Sequence, residues 1–409
     1  MSAATHKNGS WLIVVLLWGA GICSGIQFAK IAIALQPLAV SLSVSETAVS
    51  ALMAAAGLFG LIFGVSGASV CRFMGYRNSL FAALAVAAVI AFLQALMPAY
   101  PVFYGLRLLE GITNLVIVVA APTLISLYAP KNTLPFAMAL WGSFYGVAFA
   151  VTGYWGPDFI FRSGVSAFLA AQGGLLLLVG LSLALTRLEN TGQRSVSATK
   201  VSMFLQEQAA TTAKAYGSAA TMLPGVLFFF HASLYLGLLI CLPLFAPTDG
   251  SRAFLLVGMP LISIIGTLMA GPAAKRFPAG KTIVSGFLVI AALAGLLPVI
   301  GADAAAHGAY VIAALALMLA SGLVQGSIFV LVPNLTRSAD QEALAFGVIA
   351  QLGALGSMAG PVLSTFVSEL SGAQGFAVLS SSAALIGFVI ARVFLRRASS
   401  GNGDLVRAE

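Results

Sequence analysis

Four ionisable side chains stand inside otherwise apolar stretches of this sequence: Lys30, Arg107, Glu110 and His231. Such a group costs about 2.5–3.5 kcal/mol at the centre of a helix in hydrocarbon, so it turns toward protein and marks function. Glu110 follows Arg107 by three residues, which sets both on one helix face. A cluster of Lys30, Glu110 and Arg107 carries net +1. It suits two tasks: holding a carboxylate or other anionic group, with Arg107 giving bidentate hydrogen bonds, and passing a proton, for which Glu110 and His231 are the candidates. Each residue also has a structural alternative. Lys30 snorkels to the outer interface, Arg107 and Glu110 form an ion pair that fixes one helix, and His231, four residues before Tyr235, is a packed histidine.

Uncharged polar residues extend this set. Gln27 lies one turn before Lys30, and Asn114 two turns after Arg107. Ser321, Gln325 and Phe329 recur at helical spacing, Trp141 and Tyr145 form an i, i+4 aromatic pair, and Gln351 is the main polar group of its stretch. Together they describe a mixed aromatic and hydrogen-bonding wall for a small solute, with Lys30, Arg107, Gln27, Asn114, His231, Tyr235, Gln325, Trp141, Tyr145 and Gln351 as candidate contacts. Interhelical packing is the alternative for each taken singly.

The elements that position these groups are membrane helices. Of 409 residues, 60% are hydrophobic and only 8% charged, against about 25% charged in a soluble protein; the mean hydropathy is +1.03. That composition excludes disorder and a soluble domain. The basic residues are scattered, so the pI of 9.6 does not describe a nucleic-acid binder. Apolar stretches of about the 20 residues a crossing needs recur twelve times, at 11–37, 45–70, 78–97, 101–128, 134–156, 165–186, 222–246, 252–274, 281–300, 308–331, 343–368 and 374–395. The first is too long for a cleaved leader. Lys30 and Arg107 then lie about 10 Å below the outer ends of their spans at 1.5 Å per residue. Cys23, Cys71 and Cys241 have no paired spacing and read as small packing residues.

With the N-terminus inside, sixteen of the twenty Lys and Arg fall on the cytoplasmic side, and only Arg162 and Arg252 fall outside. That asymmetry sets the topology, with both termini cytoplasmic. Residues 187–221 form the longest polar connection and divide the chain into an N-terminal six-span bundle (1–186) and a C-terminal six-span bundle with a short tail (222–409). Within the connection, Val201, Phe204 and Leu205 before Gln206 and Glu207 read as a short amphipathic helix or as plain linker.

Two loops at matching places in the halves share a pattern. One reads Gly67-Ala-Ser-Val-Cys71-Arg72-Phe-Met-Gly75-Tyr-Arg77, the other Gly271-Pro-Ala-Ala-Lys275-Arg276-Phe-Pro-Ala-Gly280-Lys281. Both resemble the Gly-x-x-x-Asp-Arg-x-Gly-Arg-Arg/Lys signature of the major facilitator superfamily, without its Asp. Span four carries Arg107-Leu-Leu-Glu110-Gly111, similar to that family's Arg-x-x-Gln-Gly, and span five is glycine-rich and ends at Pro157. The resemblance implies an all-α membrane protein of twelve helices in two pseudo-symmetric bundles, with spans 1, 4, 7 and 10 lining a central cavity. It assigns the loop residues Gly67, Arg72, Gly75, Arg77, Gly271, Lys275 and Arg276 to a cytoplasmic gate.

The expected function is secondary active transport of a small organic solute across a bacterial inner membrane. The positive balance of Lys30 and Arg107 favours a solute with a carboxylate or other anionic group, and proton symport through Glu110 or His231 supplies the energy. Proton-antiport efflux of amphipathic drugs or siderophore-like metabolites is the alternative. No Walker A sequence, metal-ligand spacing or nucleophile elbow appears, so neither ATP, a cofactor nor enzymatic chemistry is expected. The expected partners are the solute, protons and lipid, with the chain as a monomer.

Overall fold

The computed structural model describes residues 10–186, 188–189, 210–301 and 307–400, and these are almost entirely helical. Its main α-helices follow in order: α1 (Trp11–Ile33), α2 (Leu35–Leu42), α3 (Glu46–Met74), α4 (Tyr76–Ala95), α5 (Tyr100–Tyr128), α6 (Leu134–Gly142), α7 (Phe144–Ala184), α8 (Ala219–Leu244), α9 (Asp249–Ala274), α10 (Ala279–Gly301), α11 (His307–Leu335) and α12 (Ala339–Ser400); residues 210–217 are also helical. The segment 201–207 read as amphipathic, and the cations Lys7, Arg187, Arg194, Lys200 and Arg407, lie outside the described residues.

Nine of these helices are long and apolar enough to cross a membrane, or ten if the two arms of α3, bent by 68°, count as one. Two exceed any single crossing. At 1.5 Å per residue the 41 residues of α7 and the 62 of α12 would run about 60 and 90 Å, against a core of about 30 Å. Each contains one glycine with backbone angles closed to other residues: Gly164 at φ 82°, ψ 164° and Gly372 at φ 60°, ψ −152°. Each helix is kinked there, and its two arms match two of the spans read from hydropathy. Both kinks fall in gaps between those spans.

Proline explains another boundary. The first span was expected to run unbroken over 11–37, but α1 stops at Ile33 and α2 continues to Leu42. Pro37 has no N–H, and its ring crowds the carbonyl four residues back, which is that of Ile33. Helix starts carry side-chain caps: Ser10 accepts from Ile13 N, Ser45 from Ala48 N and Thr248 from Ser251 N.

The chain gathers into two compact units. The first holds α1–α5, α7 and the start of α12 through Gln351; the second holds α6, α8–α11 and the rest of α12. In the first unit α1 packs on α7 and α5, while α3 and α4 flank α5. In the second, α11 packs on α8, α9 and α10, and α6 lies against α9 and α11. The exposed helix faces are apolar (Phe161, Leu178, Ile312, Val362), as lipid rather than water requires. Cys23, Cys71 and Cys241 are buried free thiols.

Candidate functional site

The first unit is organised around one carboxylate. Gly111 lets α5 press directly onto α3: a Cβ there would lie 2.5 Å from the Ala56 carbonyl oxygen. That close approach brings the Leu52 carbonyl, one turn back on α3, to 3.0 Å from Arg107 Nε, which donates to it. Arg107 Nη1 donates to the Gln27 backbone carbonyl at 2.9 Å and to Glu110 Oε2 at 2.5 Å. From α1, Lys30 Nζ donates to Glu110 Oε1 at 2.6 Å and to Gln94 Oε1 of α4, also at 2.6 Å. Gln94 Nε2 closes the ring on Glu110 Oε2 at 2.9 Å. Lys30, Gln94, Arg107 and Glu110 are each 0% exposed.

Lys30 therefore does not snorkel; its amine turns inward. Gln94 was missed in the sequence because one glutamine in an apolar span carries no spacing signal, although it is the third polar wall of the cluster. Beside the charges packs an apolar layer that includes Ile31, Leu52, Ala95 and Phe103. Two buried polar atoms in this region have no hydrogen-bond partner among the described residues: Arg107 Nη2 and Gln27 Oε1. Gln27 Nε2 reaches Thr113 Oγ1 at 3.5 Å. Asn114 ties α5 to α1 by donating to Ser24 Oγ at 2.5 Å. Tyr145 stacks near Phe149 and Phe28 on α7 and α1. Gln351 accepts from the Tyr216 hydroxyl at 2.9 Å.

The second unit gathers His231, Tyr235, Ser321 and Gln325. His231 is buried between Phe228 and Tyr235, with ring centroids 5.6 and 5.7 Å away, and its Nδ1 lies 3.4 Å from Ser321 Oγ. The fifth span was expected to be continuous, but the helix is interrupted at Ser143, whose N–H bonds back to Leu140. The Gly142 carbonyl is taken up by Gln325 Nε2 at 2.9 Å. Trp141 and Tyr145, read as one aromatic pair, fall on opposite sides of this break, Trp141 in the second unit and Tyr145 in the first.

Of the signature glycines only Gly75 stands at a turn with positive φ, while Gly67, Gly271 and Gly280 lie within helices. Gly75 caps α3 at φ 82°; Arg72 sits in the last turn of α3, and the Arg77 guanidinium lies 5.0 Å above the Phe81 ring. A Cβ at Gly67 would meet Leu115 at 2.9 Å, and one at Gly271 would meet the Phe136 backbone at 2.5 Å. Lys275 and Arg276 are exposed. Two acids at the start of α12 accept from the ends of α4 and α5. Tyr76 Oη donates to Asp340 Oδ1 at 2.9 Å and to the Ala339 carbonyl at 3.2 Å. Ser126 Oγ of α5 donates to Glu342. Burial, then the neighbouring Asp340, pushes the Tyr76 phenol above its ordinary range, so it remains a donor. Burial pushes the Glu342 carboxyl up to about 7, against the opposing pull of the Ser126 hydroxyl.

The model of the Major Facilitator Superfamily matches residues 17–353, and the chain belongs to that family of membrane transporters. Solved structures share its fold. FucP, the E. coli fucose:proton symporter, in its outward conformation, aligns with a TM-score of 0.71 at 16% identity, covering 93% of this chain and 98% of that one. The human organic anion transporter MFSD10 (TETRAN) aligns at 0.68 and 16% identity, over 93% and 99%. The proton:xylose symporter XylE, bound to 6-bromo-6-deoxy-D-glucose, aligns at 0.66 and 16% identity, over 95% of each. No curated protein sequence matches the chain.

Proposed function

We propose that this transporter moves a small organic solute bearing a carboxylate or other anionic group, by alternating access coupled to protons. The observation that carries this reading is the charge and donor balance of the buried cluster. Lys30 and Arg107 both reach one carboxylate, and Arg107 Nη2 keeps two N–H groups without an acceptor among the described residues. An unspent guanidinium edge in a dry site favours an anionic oxygen. The cluster is enclosed in the described conformation, so the solute reaches it when the bundle opens. His231, Tyr235 and Gln325 are the proposed contacts in the second unit.

Efflux of cationic amphipathic compounds fits less well. Glu110, the acid of the cluster, already accepts from Lys30, Arg107 and Gln94, which leaves at most one of its about four lone-pair sites for a cation. The structural neighbours move sugars with protons or organic anions, so the choice of solute rests on the site. Sixteen cations on one side against two on the other support an inner-membrane protein with cytoplasmic termini.

A thermal-shift panel on the purified protein tests the solute class, because a ligand at 100 times its Kd stabilises by about 2.7 kcal/mol. Carboxylates should raise Tm in the wild type and lose that effect in Arg107→Lys, which keeps the charge but not the second amino group. Stabilisation by neutral sugars or organic cations alone would overturn the anion reading.

A further inference from the structure

We propose that Lys30 is the group that carries the proton, and that a monoanionic solute and this proton occupy the cluster together. The inference rests on the transport reading above and reassigns its proton from Glu110 and His231. The argument begins with donors. An ammonium presents three N–H groups and a neutral amine two. Lys30 Nζ has two acceptors at hydrogen-bond distance, Gln94 Oε1 and Glu110 Oε1. That number matches the amine and leaves one ammonium N–H over.

The charge count agrees. Arg107 paired with Glu110 sums to zero, so a neutral Lys30 leaves the dry site neutral, whereas an ammonium leaves it at +1. Arginine keeps its proton in proteins. Glu110 has Lys30 on one oxygen and both Arg107 and Gln94 on the other, so a hydroxyl on Oε2 would point at two donors, and one on Oε1 would need the Lys30 lone pair and break the Lys30-to-Glu110 bond. Lys30 exchanges a proton while every bond of Arg107, Gln94 and Glu110 is kept.

The groups around it from each packed helix complete the balance. Helix α5 supplies Arg107 and Glu110, α4 supplies the uncharged Gln94, and α2 contains no ionisable residue. On α7 the acid and base Asp158 and Arg162 are exposed and pair with each other at 3.0 Å. On α1 itself the thiol Cys23 lies two turns earlier, and on α3 the neighbouring group is the Leu52 carbonyl, occupied by Arg107.

The step balances simply. A proton adds to the Lys30 amine, the new third N–H and the two free N–H groups of Arg107 Nη2 face the solute carboxylate, and the site is neutral again. Release of the solute returns the proton. One proton travels with one monoanion, and the cycle moves no net charge.

The test counts protons and needs no solute. Purified wild-type protein is unfolded in SDS at pH 8 in weakly buffered medium with a pH indicator, beside Lys30→Arg and Lys30→Met. An unfolded lysine is protonated at that pH, with a pKa of about 10.4. If Lys30 is an amine in the folded protein, the wild type takes up about one more proton per molecule than either variant, whose residue 30 gains none. Equal uptake by the wild type and whichever variant folds would overturn the proposal. The anion reading fails separately, through the carboxylate panel with Arg107→Lys, and that result leaves the proton count unchanged.

Discussion

Lys30 on α1 and Glu110 on α5 are 80 residues apart in sequence, yet they meet at 2.6 Å without solvent contact. Breaking a buried pair from one side strands a charge and costs about 3–5 kcal/mol. Glu110→Ala, which strands the Arg107 guanidinium and takes one of the two acceptors from Lys30, should sharply lower the yield of folded protein on size exclusion. Glu110→Gln with Lys30→Met should recover much of that yield. Additive losses in the double variant would show that the two side chains do not act as a pair.

Gly111→Ala tests how the cluster is assembled. The added methyl meets the Ala56 carbonyl at 2.5 Å, so α3 has to move away, and Arg107 loses its bond to Leu52. A loss of about 1–3 kcal/mol is expected, the range for overpacking, read as a fall in Tm. An unchanged Tm would mean that α3 yields without cost.

Glu342 gives the protein a pH-dependent contact. Its carboxyl titrates at about 7 when packed against α5, against 4.5 for an ordinary glutamate. The packed state therefore binds the proton more tightly than the unpacked state. Below about pH 4.5 both hold it and nothing changes; between about 4.5 and 7 packing weakens as pH rises; above 7 the loss is complete and constant. Compared with Glu342→Gln, the wild type should lose Tm progressively over that window, on the order of 1–3 °C in all. A flat difference would show that Glu342 is charged in the packed state.

Much of the fold is legible in the sequence, because span length and apolarity are dictated by the bilayer and need no partner. Of the signature glycines only Gly75 makes a local turn that its type foretells; Gly67 and Gly271 sit within helices, where their close contacts depend on distant partners. The cluster is partly legible: charge in an apolar stretch singles out Lys30, Arg107 and Glu110 one at a time, and the i, i+3 spacing links two of them. What could not be read is everything set by pairing across distance. Gln94 is one polar residue among many. Ser126 and Glu342 are 216 positions apart, and neither belongs to a motif. The interruption at Ser143 has no proline beside it, and its freed carbonyl is satisfied by Gln325, 183 positions away.

The two kinks inside α7 and α12 give a prediction free of packing. A Cβ at Gly164 or Gly372 would meet nothing within 4 Å, so any cost of alanine is backbone strain alone. About 1–3 kcal/mol is expected at each from their positive φ angles. Gly174, also open but within the regular part of α7, is the control: Gly174→Ala should leave Tm unchanged or raise it slightly. A similar fall at all three sites would remove the conformational explanation.

The span of sequence between Lys30 and Glu110 has a consequence for biogenesis. Helix α1 leaves the ribosome before α5, bearing an amine that has no carboxylate partner until three further long helices, α3, α4 and α5, have been made. Glu110 in turn arrives on the same helix as Arg107. Until α5 arrives, α1 bears the cost of an unpartnered amine in an apolar helix, about 2.5–3.5 kcal/mol at its centre.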